Sequence, residues 1–317
     1  MPLRLLFVMD PPEKIQADSD TSFALIEEAV RRGHRVDHCL ITNLFVHSSP
    51  GGARAGAWVR PVTPSREGQP PLVLGPKEAV FLSEFQAIFV RKDPPFDRHY
   101  LWATQVLELA RGQSLIINDP RGLREANEKL YALHFPELMP RTIVTSEKES
   151  IIEFMETHGG MAVIKPLYGA GGHNVFLLRT EDPNHNAIIE NLTEEGQSLV
   201  MVQQYLPEVS QGDKRILLVD GEAIGAILRI PRPNDLRSNL HAGGRAAPAA
   251  IDDADRRIID AMKERLRADG LFFVGLDVIG GKLTEVNVTS PTGIQQMSRF
   301  SGQNLSARVL DWIEKRL

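Results

Sequence analysis

The sequence predicts an α/β protein that opens with a parallel sheet and continues in hairpin-built α+β parts. Two apolar runs, Leu3–Met9 and Val36–Ile41, flank a helical stripe over Ser19–Arg32 that stops at Gly33, the pattern of a βαβ unit. Later, Asp220-Gly221 and Gly280-Gly281 each sit between β-branched runs, and such pairs mark tight hairpins because both turn positions take positive φ. The chain of 317 residues also exceeds one ordinary core, so two or three subdomains are expected.

Composition narrows the function classes. The apolar content of 42% and charged content of 24% are those of an ordinary globular protein. A net charge of −5 and a pI near 6.0 argue against a general nucleic-acid binder. The single cysteine, Cys39, excludes an internal disulfide framework and a Cys-rich zinc site, and its strand-like setting predicts a buried thiol. Leu3–Met9 ends at Asp10-Pro11-Pro12, too short for a signal peptide or membrane span, and a cytoplasmic protein without membrane partners is expected.

Residues 48–76, rich in Pro, Gly and Arg, read as a loop or irregular excursion with short strands around Trp58-Val59 and Leu72–Leu74. Ala87–Val90 is the next strand and runs into Arg91-Lys92-Asp93-Pro94-Pro95-Phe96-Asp97. In an open α/β sheet ligands gather beyond the carboxyl ends of strands, so Arg91 and Asp93, with Asp10, Asp18, Ser19 and Ser22 after strand one, are candidates for gripping a small zwitterion. Each also fits a turn or helix cap. Tyr100–Arg111 reads as a helix, Leu115–Ile117 as a strand and Leu123–Phe135 as a resumed helix. Thr142–Thr145 is strand-like, and Ser146 with Glu149 reads as the capping box of a helix to His158.

Met161–Gly172 is an apolar strand delivering Lys165 into a loop with Gly169, Gly171 and Gly172, where backbone N–H groups can approach a polyphosphate. The spacing fits neither a Walker A nor a Rossmann fingerprint. Strands follow at Asn174–Arg179 and Leu199–Leu206, with a helix at Asn186–Glu195 between them. Residues 231–245 lack apolar periodicity and read as a mobile linker or lid. Ile251–Gly270 and Gln303–Leu317 are helices.

The densest chemistry lies on the Gly280-Gly281 hairpin. Glu285 and Asn287 share one strand face, and Asp277 lies on the partner strand where it can join them. Two carboxylates and an amide oxygen suit Mg²⁺ with phosphate oxygens completing its shell; a merely solvated polar face is the alternative.

Lys129, Lys165 with its glycine turn, the Gln203–Leu206 stretch and the Asp277/Glu285/Asn287 hairpin occur in an order that resembles the ATP-grasp fold, and the resemblance extends to the prokaryotic glutathione synthetase family. It rests on VMDP at 8–11, DTSFALIEEAVRRGH at 20–34, VRKDPPFD at 90–97, NEKLYALHF at 127–135, IKPLYGAGG at 164–172, GDKRILLVDGE at 212–222, LRIPRPND with RSNLHAGGR at 228–245, and VGLDVIGGKLTEVNVTSPTGI at 274–294. It departs at the lid front, Arg232-Pro233-Asn234-Asp235, which is less glycine-rich than the family's, and at Gly293, where a cysteine can stand.

The resemblance implies ligation of γ-glutamylcysteine to glycine with ATP cleaved to ADP and phosphate, through an acyl phosphate. It implies that Lys129, Lys165 and the turn at Gly169, Gly171 and Gly172 hold ATP phosphates. Gln203, Gln204, Tyr205 and Leu206 would hold adenine, and Asp213 would face the ribose. Arg215 and Arg229 would serve the γ-phosphate and the acyl phosphate. Asp277, Glu285 and Asn287 would hold two Mg²⁺, or Mn²⁺. Gly243, Gly244, Arg245 and Ser290 would meet substrate carboxylates beside Asp18, Ser19, Arg91 and Asp93. A homotetramer is implied as well, with domains at 1–123, 124–202 and 203–317. Another carboxylate–amine ligase on the same fold and a noncatalytic nucleotide-binding module are the competing readings.

Overall fold

The computed structural model describes residues 1–67, 70–169, 171–233, 237–238 and 243–317. Its N-terminal part contains β1 (Arg4–Met9), α1 (Thr21–Arg31), β2 (Arg35–Cys39), β3 (Leu44–Ser49), β4 (Gly52–Pro64), β5 (Leu72–Leu74), β6 (Glu78–Phe81), β7 (Ala87–Arg91), α2 (Arg98–Glu108), β8 (Leu115–Ile117) and α3 (Pro120–Glu125). The sheet runs β3-β4-β2-β1-β7-β8, with β5 and β6 also on β4. β1 pairs in parallel with β2 and β7, and β7 with β8, as the βαβ pattern predicts. Leu5, Leu6, Phe7 and Val8 are all fully buried, the mark of a strand covered on both faces. The parallel register sets Met9 beside Arg91, so the loops after β1 and β7 meet at one edge.

The central part holds β9 (Thr142–Thr145), α4 (Lys148–Thr157), β10 (Met161–Pro166), β11 (Phe176–Arg179), α5 (His185–Leu192) and β12 (Val200–Gln204), with sheet order β11-β10-β12-β9. The C-terminal part holds β13 (Asp213–Val219), β14 (Glu222–Ile230), β15 (Arg245–Pro248), α6 (Asp253–Ala268), β16 (Phe273–Ile279), β17 (Lys282–Asn287), α7 (Ile294–Ser301) and α8 (Leu305–Arg316). Its sheet, β15-β14-β13-β16-β17, is antiparallel throughout. Both predicted turns close with two residues at positive φ: Asp220 and Gly221 at 51° and 74°, Gly280 and Gly281 at 54° and 72°.

Apolar packing groups these parts unequally. The central sheet and its helices bury a cluster of their own, including Ile151, Met155, Ile164, Leu178, Ile189 and Val202. The N- and C-terminal parts share theirs: Val8 and Val90 cluster with Leu276 and Val286, and Phe7 and Phe23 with Ile227 and Leu310. Buried Asn118, just after β8, adds a polar clasp. Its Nδ2 donates to the carbonyls of Phe273 (2.9 Å) and Val288 (2.7 Å), and its Oδ1 accepts from Phe273 N–H (2.7 Å).

Three sequence expectations are corrected and one helix is added. Residues 52–64 form a continuous strand within the expected loop; Ala55, Ala57, Val59 and Val62 point inward while Arg54, Trp58, Arg60 and Thr63 stay exposed, an alternation hidden by small and proline residues. The helix expected over Leu123–Phe135 breaks at Ala126 and resumes only as a 3₁₀ turn, Leu130–His134. Asn127 causes the break, because its Oδ1 accepts from the N–H groups of Lys129 (3.0 Å) and Leu130 (3.1 Å). Ser146 caps nothing: Glu147 is the N-cap of α4, and its N–H donates to Thr145 Oγ1 (3.0 Å). Helix α7 was not anticipated; it starts at Gly293, whose φ of 116° suits glycine. Cys39 is buried as expected. Of the expected lid, residues 234–236 and 239–242 lie outside the described residues. Among the described residues no helix is long and apolar enough to cross a membrane.

Candidate active site

A cavity of about 790 Å³ opens where the three parts meet. Strand register builds its charged wall. Arg229 on β14 lies opposite Asp213 on β13, Arg215 on β13 opposite Asp277 on β16, and Asp277 opposite Glu285 on β17, with Asn287 two residues further on the same face. One row of side chains thus crosses four strands. Arg215 grips Asp277 with Nε and Nη2, the latter 3.0 Å from Oδ2, and Arg229 Nη2 reaches that oxygen at 2.9 Å. Arg229 also pairs with Asp213. Burial alone would raise the Asp277 carboxyl; the two guanidinium groups outweigh it and hold the group well below the usual carboxylate range. Burial pushes Asp213 upward against the pull of Arg229. Asp213, expected at the ribose, therefore stands in the arginine row.

Two lysines face this row. Lys165, at the end of β10, donates to the Thr284 carbonyl (3.3 Å) and lies 3.9 Å from Glu285 Oε1; burial lowers its pKa against the opposing pull of Glu285. The break at Asn127 turns Lys129 inward, 3.5 Å from the same Glu285 oxygen. Gly169, Gly171 and Gly172 line the cavity with φ of 101°, 71° and 78°. Ala170 lies outside the described residues. Gln203, Gln204, Tyr205 and Leu206, at the end of β12 and just beyond, line the far side.

The opposite end is built from loops. Arg91 closes β7 and is buried; its Nε donates to Ser22 Oγ (3.0 Å) and its Nη2 to the Pro291 carbonyl (2.9 Å), while Nη1 is buried with no hydrogen-bond partner among the described residues. Burial lowers its pKa, and Asp20 and Asp93 oppose that. Asp93 is fixed by its N–H, which donates to Asp10 Oδ2 (2.9 Å). Ser19 and Ser290 also line the cavity. Four expected substrate residues do not. The Asp18 side chain is 96% exposed and faces Arg66; Arg245 is exposed on the outer strand β15; Gly243 and Gly244 precede it, outside the cavity lining.

Glu128 and Gln296 are among the lining residues that sequence reasoning passed over. Glu128, beside Lys129, accepts from Thr289 Oγ1 (2.8 Å), and burial together with the charge of Glu285 pushes its carboxyl up to about 7. Gln296 on α7 lines the cavity with a buried Oε1 that has no partner among the described residues. A carboxylate between an asparagine and a lysine was a usable signal for Glu128. For Gln296 there was none without α7.

The donor set fits a hard divalent cation. Asp277 and Glu285 offer carboxylates, and Asn287 Nδ2 donates to the Gly275 carbonyl (3.3 Å), which leaves its amide oxygen for the cavity. Among the described residues no group of three or more His, Cys, Asp or Glu side chains could hold a metal ion by itself. Phosphate oxygens would have to complete the shell.

Comparison with known proteins places this geometry. The ATP-grasp domain of prokaryotic glutathione synthetase matches residues 128–302, and the N-terminal domain of the same family matches residues 3–124. The glutathione synthetase of Gloeobacter violaceus is 48% identical over 98% of this chain and 96% of its own length. That of Vibrio vulnificus strain YJ016 is 43% identical over 100% and 99%. Among solved structures, D-cycloserine synthetase DcsG superposes with a TM-score of 0.67 at 16% identity, covering 98% of this chain and 99% of its own. The ATP-grasp ligase PsnB with minimal precursor gives 0.65 at 15% identity over 100% and 99%. At these identities the two structures speak for the fold alone, which is ATP-grasp.

Proposed function

The chain belongs to the prokaryotic glutathione synthetase family, and we propose that it joins γ-glutamylcysteine to glycine, converting ATP to ADP and phosphate. The observation that carries this reading is the row Arg229–Asp213–Arg215–Asp277–Glu285 facing Lys129 and Lys165 in one cavity. It gathers cations and hard oxygen donors without a side-chain nucleophile, which suits phosphoryl transfer by positioning and charge neutralisation.

The cysteinyl carboxylate attacks the γ-phosphorus and ADP leaves. The amine of glycine then attacks the resulting acyl phosphate, the C–O bond to phosphate breaks, and the amine proton is released. Lys129, Lys165 and the glycine turn neutralise and cradle the phosphates; Gln203–Leu206 seat the adenine. Arg215 and Arg229 meet the charge that develops on the transferring group. Asp277, Glu285 and Asn287 would hold Mg²⁺ or Mn²⁺, which supplies charge neutralisation at the phosphate oxygens. At the other end Arg91, Asp93, Ser19 and Ser290 would hold the dipeptide. Its zwitterionic end suits a buried cation beside carboxylates.

This reading assigns residues 1–123 to a dipeptide domain, 124–202 and 203–317 to the two ATP-grasp subdomains, and the enzyme to a cytoplasmic homotetramer. Light scattering on the purified chain tests the tetramer. The decisive assay is ADP release with Mg·ATP, comparing γ-glutamylcysteine plus glycine against either alone, with mass spectrometry of the product. Release that needs both, with glutathione formed, supports the reading. Turnover only with a different acid–amine pair would keep the fold and discard the substrates.

A further inference from the structure

Where the sequence suggested Asp18, the structure brings Asp20 to the cavity. Asp18 turns outward to Arg66, while Asp20 lines the end that holds Arg91 and Asp93. Two helices fix it there. As the N-cap of α1 it accepts from Phe23 N–H through Oδ1 (2.7 Å). From the far end of the chain, α7 ties down the loop before α1. The buried amide of Gln295 donates through Nε2 to the carbonyls of Ala17 (2.8 Å) and Asp20 (2.6 Å), and Arg299 Nη1 donates to the Asp18 carbonyl (2.8 Å). Capping uses a carboxylate oxygen but needs no charge, so asparagine would cap α1 as well. Charge is what Asp20 adds. It acts, with that of Asp93, on the buried guanidinium of Arg91. Arg91 spends Nε and Nη2 on Ser22 and Pro291, which leaves Nη1 without a partner among the described residues. Burial raises the Asp20 carboxyl against the pull of Phe23 N–H and Arg91, and a carboxylate so placed gains from a second cation at short range.

We propose that Asp20 is the specificity residue for the free α-ammonium of the γ-glutamyl group, in a clamp whose other half, Arg91, takes the α-carboxylate. The proposal rests on the dipeptide reading of this end. A cation flanked by carboxylates complements a group that carries both charges on one carbon. A γ-linked glutamyl residue has such a carbon; an α-linked one spends that carboxylate in the peptide bond. The clamp therefore selects the linkage, and Gln295 is the positioning residue for its acidic half.

The test compares three acids as partners for glycine in the ADP-release assay. They are γ-glutamylcysteine, glutarylcysteine, which lacks only the α-ammonium, and 4-aminobutanoylcysteine, which lacks only the α-carboxylate. Asp20→Asn keeps the cap and removes the charge. It is expected to raise the KM for γ-glutamylcysteine about 10- to 100-fold, the usual span for a lost charged hydrogen bond, with the KM for ATP unchanged. 4-Aminobutanoylcysteine keeps the ammonium and is expected to show the same rise; glutarylcysteine is expected to show none. Gln295→Leu is expected to follow the same pattern more weakly. Equal shifts for γ-glutamylcysteine and glutarylcysteine, or no shift, would overturn the inference and leave Asp20 a helix cap. A selective loss in Asp93→Asn with Asp20→Asn like wild type would overturn it in favour of Asp93. Should Asp20→Asn fail to fold by circular dichroism, wild type decides: equal KM for γ-glutamylcysteine and glutarylcysteine would overturn the inference. Wild type that ligates none of the three acids would overturn the dipeptide reading itself.

Discussion

At the cavity end formed by β10, β13, β14, β16 and β17, charged side chains face opposite charges across strand registers, although Asp213 Oδ1 is buried without a hydrogen-bond partner among the described residues; at the end formed by the loops after β1 and β7, Arg91 Nη1 and Gln296 Oε1 are likewise buried without partners among them, and no register supplies them an opposite charge. An antiparallel ladder fixes which residues meet, so the charges at the first end are paired across strands. Loops and helix starts hold the other end, and an unpaired buried polar atom is costly until something binds it. The first end suits chemistry that recurs with every ATP; the second suits recognition of one particular partner.

Variants can break this contrast. The largest effect is expected for Glu285→Ala, which should cut ligation by about 10³-fold or more, since a carboxylate facing both lysines is lost from the proposed metal site. Near-normal turnover at saturating Mg²⁺ would sink that assignment. Arg229→Ala should lower kcat by about 10²-fold while the KM for ATP moves little, because its partner charge develops in the transition state. A change confined to KM would make it a ground-state ligand. Arg91→Lys should act at the other end, raising the dipeptide KM about tenfold with the ATP KM unchanged, as a point charge replaces the planar fork. Equal effects on both substrates would dissolve the distinction between the two ends.

Glu128 lies between them and gives the smallest effect. Its carboxyl stands at about 7 in the folded enzyme against an ordinary 4.5, so it favours the folded state below about 4.5 and loses that contribution as pH rises through about 7. The Tm of Glu128→Gln relative to wild type, both ligand-free, should therefore climb between pH 5 and pH 8. A difference that stays flat with pH would remove Glu128 from the electrostatics of the site.

The charged row was legible in the sequence because its signals are local. Gly280-Gly281 fixes a hairpin, the hairpin fixes the register, and the register brings Asp277 to Glu285. The strand at Lys165 and its glycines work the same way. What stayed hidden depends on distant partners. The inward turn of Glu128 and Lys129 needs Asn127, which is itself anchored by donating to the Leu167 carbonyl (2.8 Å). Strand β4 holds inward alanines that only its neighbours β3, β2 and β6 make into a face. Gln296 enters the cavity only because Gly293 starts a helix there.

The clasp at Asn118 also bears on cooperativity. By tying β8 to Phe273 and Val288, and with apolar clusters shared across the same boundary, it makes residues far apart in the chain one unit of unfolding. The central sheet, which buries a cluster of its own on one face and joins the shared one through Met201 and Val144, is the segment expected to open first. In native-state hydrogen exchange, residues 115–118 and 273–288 should lose protection together, and 142–204 at a lower free energy. The middle of the chain can thus breathe while the N- and C-terminal parts stay locked to each other.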